Sequence, residues 1–141
     1  MIAAQEHAVT ADLKIPILVV DDSPTMLRIT HDVLRNLCYE NIDQANGGFA
    51  ALESMRAKRY DLAISDWNME PITGYDLLRQ MRCNPFLGQI PFIMVTGSAQ
   101  IENVIAAKKA GVSNFIVKPF IAATMKAKID AVFAGRPLVT A

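Results

Sequence analysis

The sequence predicts an α/β fold of the (βα)5 type, a doubly wound parallel five-stranded sheet with helices on both faces. Short apolar runs alternate with segments of helical apolar periodicity along the 141 residues. The two longest runs, 15–20 and 90–95, are continuously apolar, which is typical of strands buried on both faces of a parallel sheet. The connections are short and contain no low-complexity linker or repeat, so right-handed crossovers are expected between consecutive strands.

Each element can be placed from its residues. The predicted strands are 15–20, 42–45, 62–65, 90–95 and 115–117. The first helix is expected to begin at Pro24, which needs no N–H partner in the first turn, with Ser23 as its N-cap. Its predicted apolar face consists of Met26, Ile29, Val33, Leu34 and Leu37. Helices follow at 48–57, 74–81, 101–110 and 121–133, and Gly111 suits a helix C-terminus.

The whole chain divides into one predicted domain, 15–134, between an N-terminal extension, 1–14, and a short tail, 135–141, which leaves no room for an output domain. Fourteen basic and fourteen acidic residues argue against binding of a nucleic-acid backbone. The apolar runs are too short for membrane insertion, and the N-terminus lacks the pattern of a secretion signal. Cys38 and Cys83 have no metal-ligand spacing and are expected to be reduced. The predicted compartment is the cytoplasm.

Charged and hydroxyl side chains follow four of the predicted strands. Asp21 and Asp22 follow the first strand, Asp66 the third, Thr96 the fourth and Lys118 the fifth. In a sheet of this kind the ligand site lies at the carboxyl ends of the strands. Because acidic residues after strands also form turns and helix caps, Asp21 and Asp22 have that alternative interpretation.

Three carboxylates at one sheet edge repel each other, and a bound divalent cation would remove that cost. Oxygen ligands without a neighbouring histidine or cysteine favour Mg²⁺. His7 in the extension and His31 off the apolar stripe are expected to be solvated rather than ligands. Asn68 can offer its backbone carbonyl to the metal. The same groups fit phosphoryl transfer to an aspartate, because a carboxylate can act as nucleophile and a lysine adds positive charge.

Five motifs together make the sequence recognisable: DD at 21–22, SDWNM at 65–69, the glycine at 74, VT at 95–96 and VKPF at 117–120. In this order and spacing they resemble the response-regulator receiver family, in particular its CheY-like single-domain members in bacterial two-component signalling. The resemblance covers residues 15–133. It implies the flavodoxin-like strand order 2-1-3-4-5.

The resemblance also implies roles for individual residues. Asp66 is the expected phosphoryl acceptor, Asp22 a direct Mg²⁺ ligand, Asp21 a ligand acting largely through water, and Asn68 a carbonyl ligand. Thr96 is expected to sense the phosphoryl group, Lys118 to pair with it across a cis Lys118–Pro119 bond, and Phe115 to act as the switch aromatic. Three positions differ from what is common in the family. Residue 115 is phenylalanine instead of tyrosine, and residue 97 is glycine instead of alanine. Ser98 puts a short hydroxyl at a position that in the family affects loss of the phosphoryl group.

A stand-alone receiver of this kind is expected to be a monomer that takes its phosphoryl group from a histidine kinase or histidine phosphotransfer protein. A downstream target would read the surface of the fourth helix, fifth strand and fifth helix, in chemotaxis, in a phosphorelay or as a phosphate sink. Ile101 and Val104 are candidate contacts there, although Val104 could instead be core, and Leu27 is a candidate contact for the donor.

Other function classes remain as alternatives. A phosphohydrolase of the HAD type also uses an aspartyl nucleophile with Mg²⁺, but it requires DxDxT after the first strand, where this chain reads DDSPT. A receiver fold that is never phosphorylated could serve purely as an interaction module. A nucleotide-binding flavodoxin-like protein is the least favoured, because no glycine-rich phosphate loop follows the first strand. The sequence therefore predicts a signalling protein rather than an enzyme.

Overall fold

The computed structural model describes residues 12–97 and 100–134. Strands and helices alternate in the order β1 (Pro16–Val20), α1 (Pro24–Asn36), β2 (Asn41–Ala45), α2 (Gly48–Ala57), β3 (Leu62–Asp66), α3 (Gly74–Cys83), β4 (Phe92–Thr96), α4 (Ile101–Ala110), β5 (Asn114–Val117) and α5 (Ala122–Ala134). All neighbouring strands pair in parallel, and the sheet order is β2-β1-β3-β4-β5. The predicted fold class and strand order are confirmed. The predicted tail and residues 1–11 of the extension lie outside the described residues, so the domain limits stay predictions.

Apolar layers on both faces of the sheet explain the continuous apolar runs in the sequence. Along β1, Leu18 and Val20 join the core cluster under α2 and α3, whereas Ile17 and Val19 join the cluster under α1 and α5. Successive side chains of a strand point to opposite faces, so a strand covered on both sides must be apolar at every position. Burial of both faces holds the carboxyl ends of the strands in a fixed arrangement.

The start of β4 differs from the prediction. The strand begins at Phe92 rather than at residue 90. The N–H of Ile90 donates to Leu87 O at 3.2 Å in the preceding turn, and Pro91 has no N–H to give to the sheet. The sheet hydrogen bonds reach back as far as the carbonyl of Pro91, which accepts from Ala63 N at 2.9 Å, whereas Ile90 belongs to the turn.

The rotation of α1 corrects two predictions. Ser23 caps the helix by accepting a hydrogen bond from Met26 N at 3.3 Å, as predicted. The buried face, however, carries Leu27 and Thr30 together with Leu34, and Ile29 is 45% exposed. Ile29 is thus wrongly placed on the apolar face, and Leu27, which is 6% exposed and packs in the core, is wrongly predicted as a surface contact for a donor.

The end of α4 and the two cysteines agree with the predictions. Gly111 ends α4 in the left-handed conformation at φ 98°, as its position in the sequence indicates. Cys38 and Cys83 are both exposed and free. Within the described ranges, none of the helices has the length and apolar character that crossing a bilayer would need.

Candidate functional site

The side chains predicted to converge lie at neighbouring strand ends. Strand register sets Val20 beside Ser65, Asp66 beside Val95 and Thr96 beside Val117, so the carboxyl ends of β1, β3, β4 and β5 are level. The carboxylates of Asp21, Asp22 and Asp66 each offer an oxygen within 4.8 Å of the others. We call this group the acidic edge. The prediction that these three carboxylates lie together is confirmed.

Asp66 is held by the backbone around it. It is the last residue of β3 and is 5% exposed. The N–H of the next residue, Trp67, donates to Val95 O at 2.8 Å, and the hydroxyl of Ser65 donates to the carbonyl of Asp66 at 3.0 Å. Gly74, the first residue of α3, packs so closely that a Cβ there would collide with the Asp66 carbonyl. These contacts fix the direction in which the Asp66 side chain leaves the sheet.

Lys118 supplies the positive charge of the site. Its N–H donates to Thr96 O at 2.8 Å, which ties the end of β5 to the end of β4. Its ammonium nitrogen lies 2.7 Å from Asp66 Oδ1 in an ion pair. The Lys118–Pro119 bond is cis, as the family resemblance implies, and Glu70–Pro71 is a second cis bond that the sequence did not indicate. Because Asp66 is nearly enclosed, the lysine offsets part of the cost of burying its carboxylate.

The two aspartates after β1 differ in their surroundings. Asp21 is buried, and its Oδ1 accepts a hydrogen bond from Ser23 N at 3.0 Å. Burial raises the pKa of Asp21, the negative charges of Asp66 and Asp22 raise it further, and the Ser23 N–H and Lys118 oppose them. Asp22 is exposed, and its Oδ2 accepts from Glu70 N at 3.3 Å. Since Ser23 provides the side-chain cap of α1, helix capping does not account for this pair.

The donor set of the acidic edge fits Mg²⁺. It consists of three carboxylates, two of them buried, gathered where their charges repel. Asp66 Oδ1 is buried and, among the described residues, receives no well-aligned hydrogen bond besides its ion pair with Lys118. Asn68 is exposed in the β3–α3 loop, and its role as a carbonyl ligand stays a prediction. His31 lies on α1 beside Asp32, 3.5 Å away, outside this group.

One residue near the acidic edge escaped the sequence analysis. Thr30 of α1 is buried and lines a cavity of about 10 Å³ together with Asp21, Asp66 and Val95. A space of that size holds about one water molecule between polar groups. A threonine between the apolar residues Leu27 and Leu34 could have indicated a buried polar contact. It was not recognised because the buried face of α1 had been predicted on the side of Ile29.

Stacked aromatic rings adjoin the acidic edge. The ring of Trp67 stacks on Tyr75 of α3 at a centroid distance of 5.5 Å, and on Phe115 of β5 at 6.5 Å. The Arg79 guanidinium lies 5.8 Å from the centre of the Tyr75 ring. Phe115 was predicted as the switch aromatic. The contact of Tyr75 with Trp67 was not predicted, because the position of Tyr75 in the sequence also fits an exposed residue on the surface of α3. The stack joins the residue after Asp66 to two other elements.

The predicted partner contacts differ in exposure. Ile101 is 72% exposed and Val104 is half-buried. Three other apolar side chains are exposed but were not predicted as contacts: Ile105 on α4, Val117 at the end of β5 and Ile121 directly before α5. Together with Ile101 they form what we call the α4–β5–α5 surface. Gly97 is exposed and a Cβ there would meet no atom within 4 Å, and Ser98 lies outside the described residues.

Comparison with known proteins gives consistent matches. The family described as the response regulator receiver domain matches residues 17–130. Chemotaxis protein CheY-3 of Vibrio cholerae is 43% identical over 83% of this chain and 90% of its own length. Chemotaxis protein CheY of Pseudomonas aeruginosa is 42% identical over 83% of this chain and 94% of its own length.

Solved structures show the same likeness. Chemotaxis protein CheY4 of Vibrio cholerae has a TM-score of 0.79 at 28% identity, covering 84% of this chain and 98% of that one. The signal receiver domain of a histidine kinase from Syntrophus aciditrophicus has a TM-score of 0.78 at 28% identity, covering 90% and 96%. The matches span the elements that carry the acidic edge.

Proposed function

The chain belongs to the response-regulator receiver family, and from that premise we propose that it acts in the cytoplasm by accepting a phosphoryl group on Asp66 and signalling this to a target protein. The observation that carries the proposal is the enclosed Asp66 carboxylate, paired with Lys118 at 2.7 Å and grouped with two further carboxylates. Receivers of the CheY type are signalling proteins rather than enzymes with a diffusible product. A histidine kinase or a histidine phosphotransfer protein is the proposed donor.

Asp21, Asp22 and Asp66 are the residues proposed to hold Mg²⁺, with the carbonyl of Asn68 as a further ligand. The ion, when bound, offsets the negative charge of the phosphoryl oxygens during transfer. Asp22 is the exposed member of the group, so it faces the side from which solvent and donor approach. Asp21 lies deeper and is oriented by the Ser23 N–H.

Transfer itself requires one nucleophile and one leaving group. A carboxylate oxygen of Asp66 attacks phosphorus, the P–N bond of the donor phosphohistidine breaks, and the imidazole leaves. The ammonium of Lys118 provides a compact positive charge for a phosphoryl oxygen. Because Asp66 is confined by Gly74 and by the β3–β4 hydrogen bonds, its carboxylate needs little reorientation before attack.

The signal is proposed to pass through Thr96 and Phe115. A phosphoryl group adds acceptor oxygens and up to two negative charges beside Thr96 and Lys118. Movement of Thr96 toward them would open space for Phe115, which lies on the neighbouring strand and stacks on Trp67. The α4–β5–α5 surface would then change shape, as in a two-state switch biased by local charge. Its exposed isoleucines and valine offer an apolar contact to a target.

Chemotaxis is the pathway we favour. Two curated relatives that are 42–43% identical are named chemotaxis proteins, and the chain covers at least 90% of each. A phosphorelay shuttle and a phosphate sink use the same acceptor chemistry.

Trp67 provides the test, because it is the single tryptophan, follows Asp66 directly and stacks on Tyr75 and Phe115. We expect Mg²⁺ and then acetyl phosphate each to change its fluorescence, and intact-mass spectrometry to detect one added phosphoryl group. The Asp66→Asn variant should lose the acetyl phosphate response and the added mass. The Asp22→Ala variant should bind Mg²⁺ at least about tenfold more weakly.

Asp61→Asn is the matched control, since Asp61 precedes β3 at the opposite end of that strand and should leave both responses intact. A wild-type protein that takes up no phosphoryl group in Mg²⁺ and acetyl phosphate would favour the unphosphorylated interaction module instead.

A further inference from the structure

A cleft of about 480 Å³ lies at the opposite end of the sheet from the acidic edge. Its walls are residues 55–61, which end α2 and lead into β3, and residues 86–87 and 89–91, which lead into β4. These segments adjoin the amino ends of strands whose carboxyl ends carry Asp66 and Thr96. The length of a five-residue strand, about 13 Å, therefore separates them from the acidic edge. We call this feature the basic cleft.

The first wall concentrates positive charge in a chain whose formal charge is zero. Arg56, Lys58 and Arg59 line the cleft, and Asp61 is the acidic residue among the lining side chains. Arg59 contacts Asp61 at 3.5 Å, and Lys58 contacts Asp43 on β2 at 2.8 Å. Both ion pairs are solvent-exposed, so they are weak and leave the wall attractive to an anionic partner.

The second wall is uncharged in sequence and presents an aromatic ring. Phe86 is 89% exposed, although it lines a cleft whose floor includes the buried side chain of Leu87. The side chain of Asn84 fixes this turn by accepting hydrogen bonds from Phe86 N at 2.7 Å and Leu87 N at 3.2 Å.

Arg82 stabilises the rest of the second wall by hydrogen bonds to its backbone. Its guanidinium donates to Gly88 O at 3.2 Å and to Ile90 O at 2.6 Å. Burial lowers the pKa of Arg82, but its ordinary value is so high that the group stays charged at neutral pH. The ring of Phe86 is thus presented on an ordered turn, and little loop ordering is left to oppose binding.

We propose that the basic cleft binds an acidic segment of a partner protein. In this arrangement carboxylates contact the first wall and an apolar side chain packs on Phe86. The cations follow one another along residues 56–59, which suits an extended chain better than a small anion held by converging donors. A nucleic acid or an anionic membrane would call for a wider basic surface than three cations, one of them paired with Asp61, provide.

Docking here leaves the acidic edge and the α4–β5–α5 surface accessible. The basic cleft therefore holds its partner whether or not Asp66 is phosphorylated, and the bound state does not depend on the proposed function. Such contact would keep the protein beside this partner in both states of Asp66.

The test is an NMR titration of the ¹⁵N-labelled protein with a blocked peptide of alternating glutamate and leucine. Amide shifts are expected at residues 55–61 and 86–90, with affinity falling as salt rises. Arg56→Glu should weaken binding about tenfold and Phe86→Ala about fivefold. Both side chains are exposed, so both variants should fold, which unchanged amide shifts elsewhere will verify.

Three controls sharpen the result. Arg28→Glu, which alters an exposed cation on α1, should bind the peptide like the wild type. A peptide of alternating lysine and leucine should not bind. Acetyl phosphate with Mg²⁺ should leave the affinity for the glutamate peptide unchanged. Separate titrations with AMP and with anionic vesicles test a nucleotide and a membrane as ligands instead. The proposal is overturned if the glutamate peptide shifts no amide of the cleft or if the lysine peptide binds equally. It is also overturned if only AMP or the vesicles shift those amides.

Discussion

At the scale of single residues, the position of Asp66 depends on the absence of a side chain at Gly74. A Cβ at residue 74 would overlap the Asp66 carbonyl and approach the sulfur of Met94 to 3.0 Å. Backbone at the end of a central strand cannot move aside without disturbing the β3–β4 hydrogen bonds, whereas a flexible side chain could. Gly74 therefore lets α3 begin directly against the acceptor residue.

We predict that Gly74→Ala lowers the free energy of unfolding by about 1–3 kcal/mol, the usual cost of overpacking a rigid site. Urea denaturation followed by circular dichroism measures it. The matched control is Gly97→Ala, because a Cβ at residue 97 meets no atom within 4 Å. That substitution should be neutral or stabilise the protein by up to about 1 kcal/mol, through the lower entropy of its unfolded chain. Equal stabilities for the two variants would contradict the close packing at Gly74.

Which site residues could be predicted depended on the element that carries them. Asp66, Thr96 and Lys118 were predictable because parallel strands bring their carboxyl ends to one edge whatever the details of packing. Thr30 and Tyr75 lie on helices, and their place at the site depends on helix rotation.

At the scale of elements, α1 shows why helix rotation was harder to predict than helix position. Apolar residues form two adjacent stripes, one through Ile29 and one through Leu27, and they differ by a fraction of a turn. The sheet selects the stripe that contains Thr30, which then faces Asp21 and Asp66. The sequence predicted the apolar character of this helix but not which stripe the sheet buries.

Hydrogen bonds to Asp43 join β2 to the segment before β3. Asp43 accepts hydrogen bonds from the hydroxyl of Tyr60 at 2.6 Å and from the ammonium of Lys58 at 2.8 Å. These partners lower the pKa of Asp43, with the Lys58 contact the largest cause. Tyr60 is buried, and burial together with Asp43 raises the pKa of its hydroxyl. The ionised carboxylate is therefore stabilised in the folded protein.

We predict that Asp43→Asn lowers the free energy of unfolding by about 1 kcal/mol at neutral pH, a modest value because the carboxylate is 43% exposed. A depressed folded pKa gives stability that is present above the unfolded pKa of about 3.9 and is lost as pH falls through the folded value. The difference between wild type and variant should therefore shrink below about pH 4. Urea denaturation at several pH values measures it.

Asp61→Asn is the control for this prediction, because the one side-chain contact of the Asp61 carboxylate among the described residues is a long, exposed one with Arg59 at 3.5 Å. Its effect should be smaller at neutral pH. A wild-type-to-Asp43→Asn difference that stays constant down to strongly acidic pH would show that the carboxylate charge is not what stabilises this contact.

At the scale of the whole molecule, a net charge of zero conceals an uneven distribution. Three carboxylates crowd the acidic edge, while cations line the basic cleft at the amino ends of the strands. The raised pKa of Asp21 reflects burial and the negative charges of Asp66 and Asp22 beside it. Receiver chemistry and partner docking would then occupy separate ends of one rigid sheet. The clustered acids also oppose folding until a cation joins them.

We predict that this repulsion appears in the stability of the entire domain. In EDTA, Asp22→Asn should raise the urea midpoint above that of the wild type, because one charge leaves the cluster while the amide oxygen can still accept the hydrogen bond from Glu70 N. In Mg²⁺ at a hundredfold excess over its dissociation constant, the wild type should gain about 2.7 kcal/mol and the variant much less, so their order reverses. Asp32→Asn, on the exposed side of α1, should show neither effect. If the wild type gains nothing from Mg²⁺, the acidic edge does not bind the metal in the folded protein, and the repulsion must be relieved by Lys118 alone.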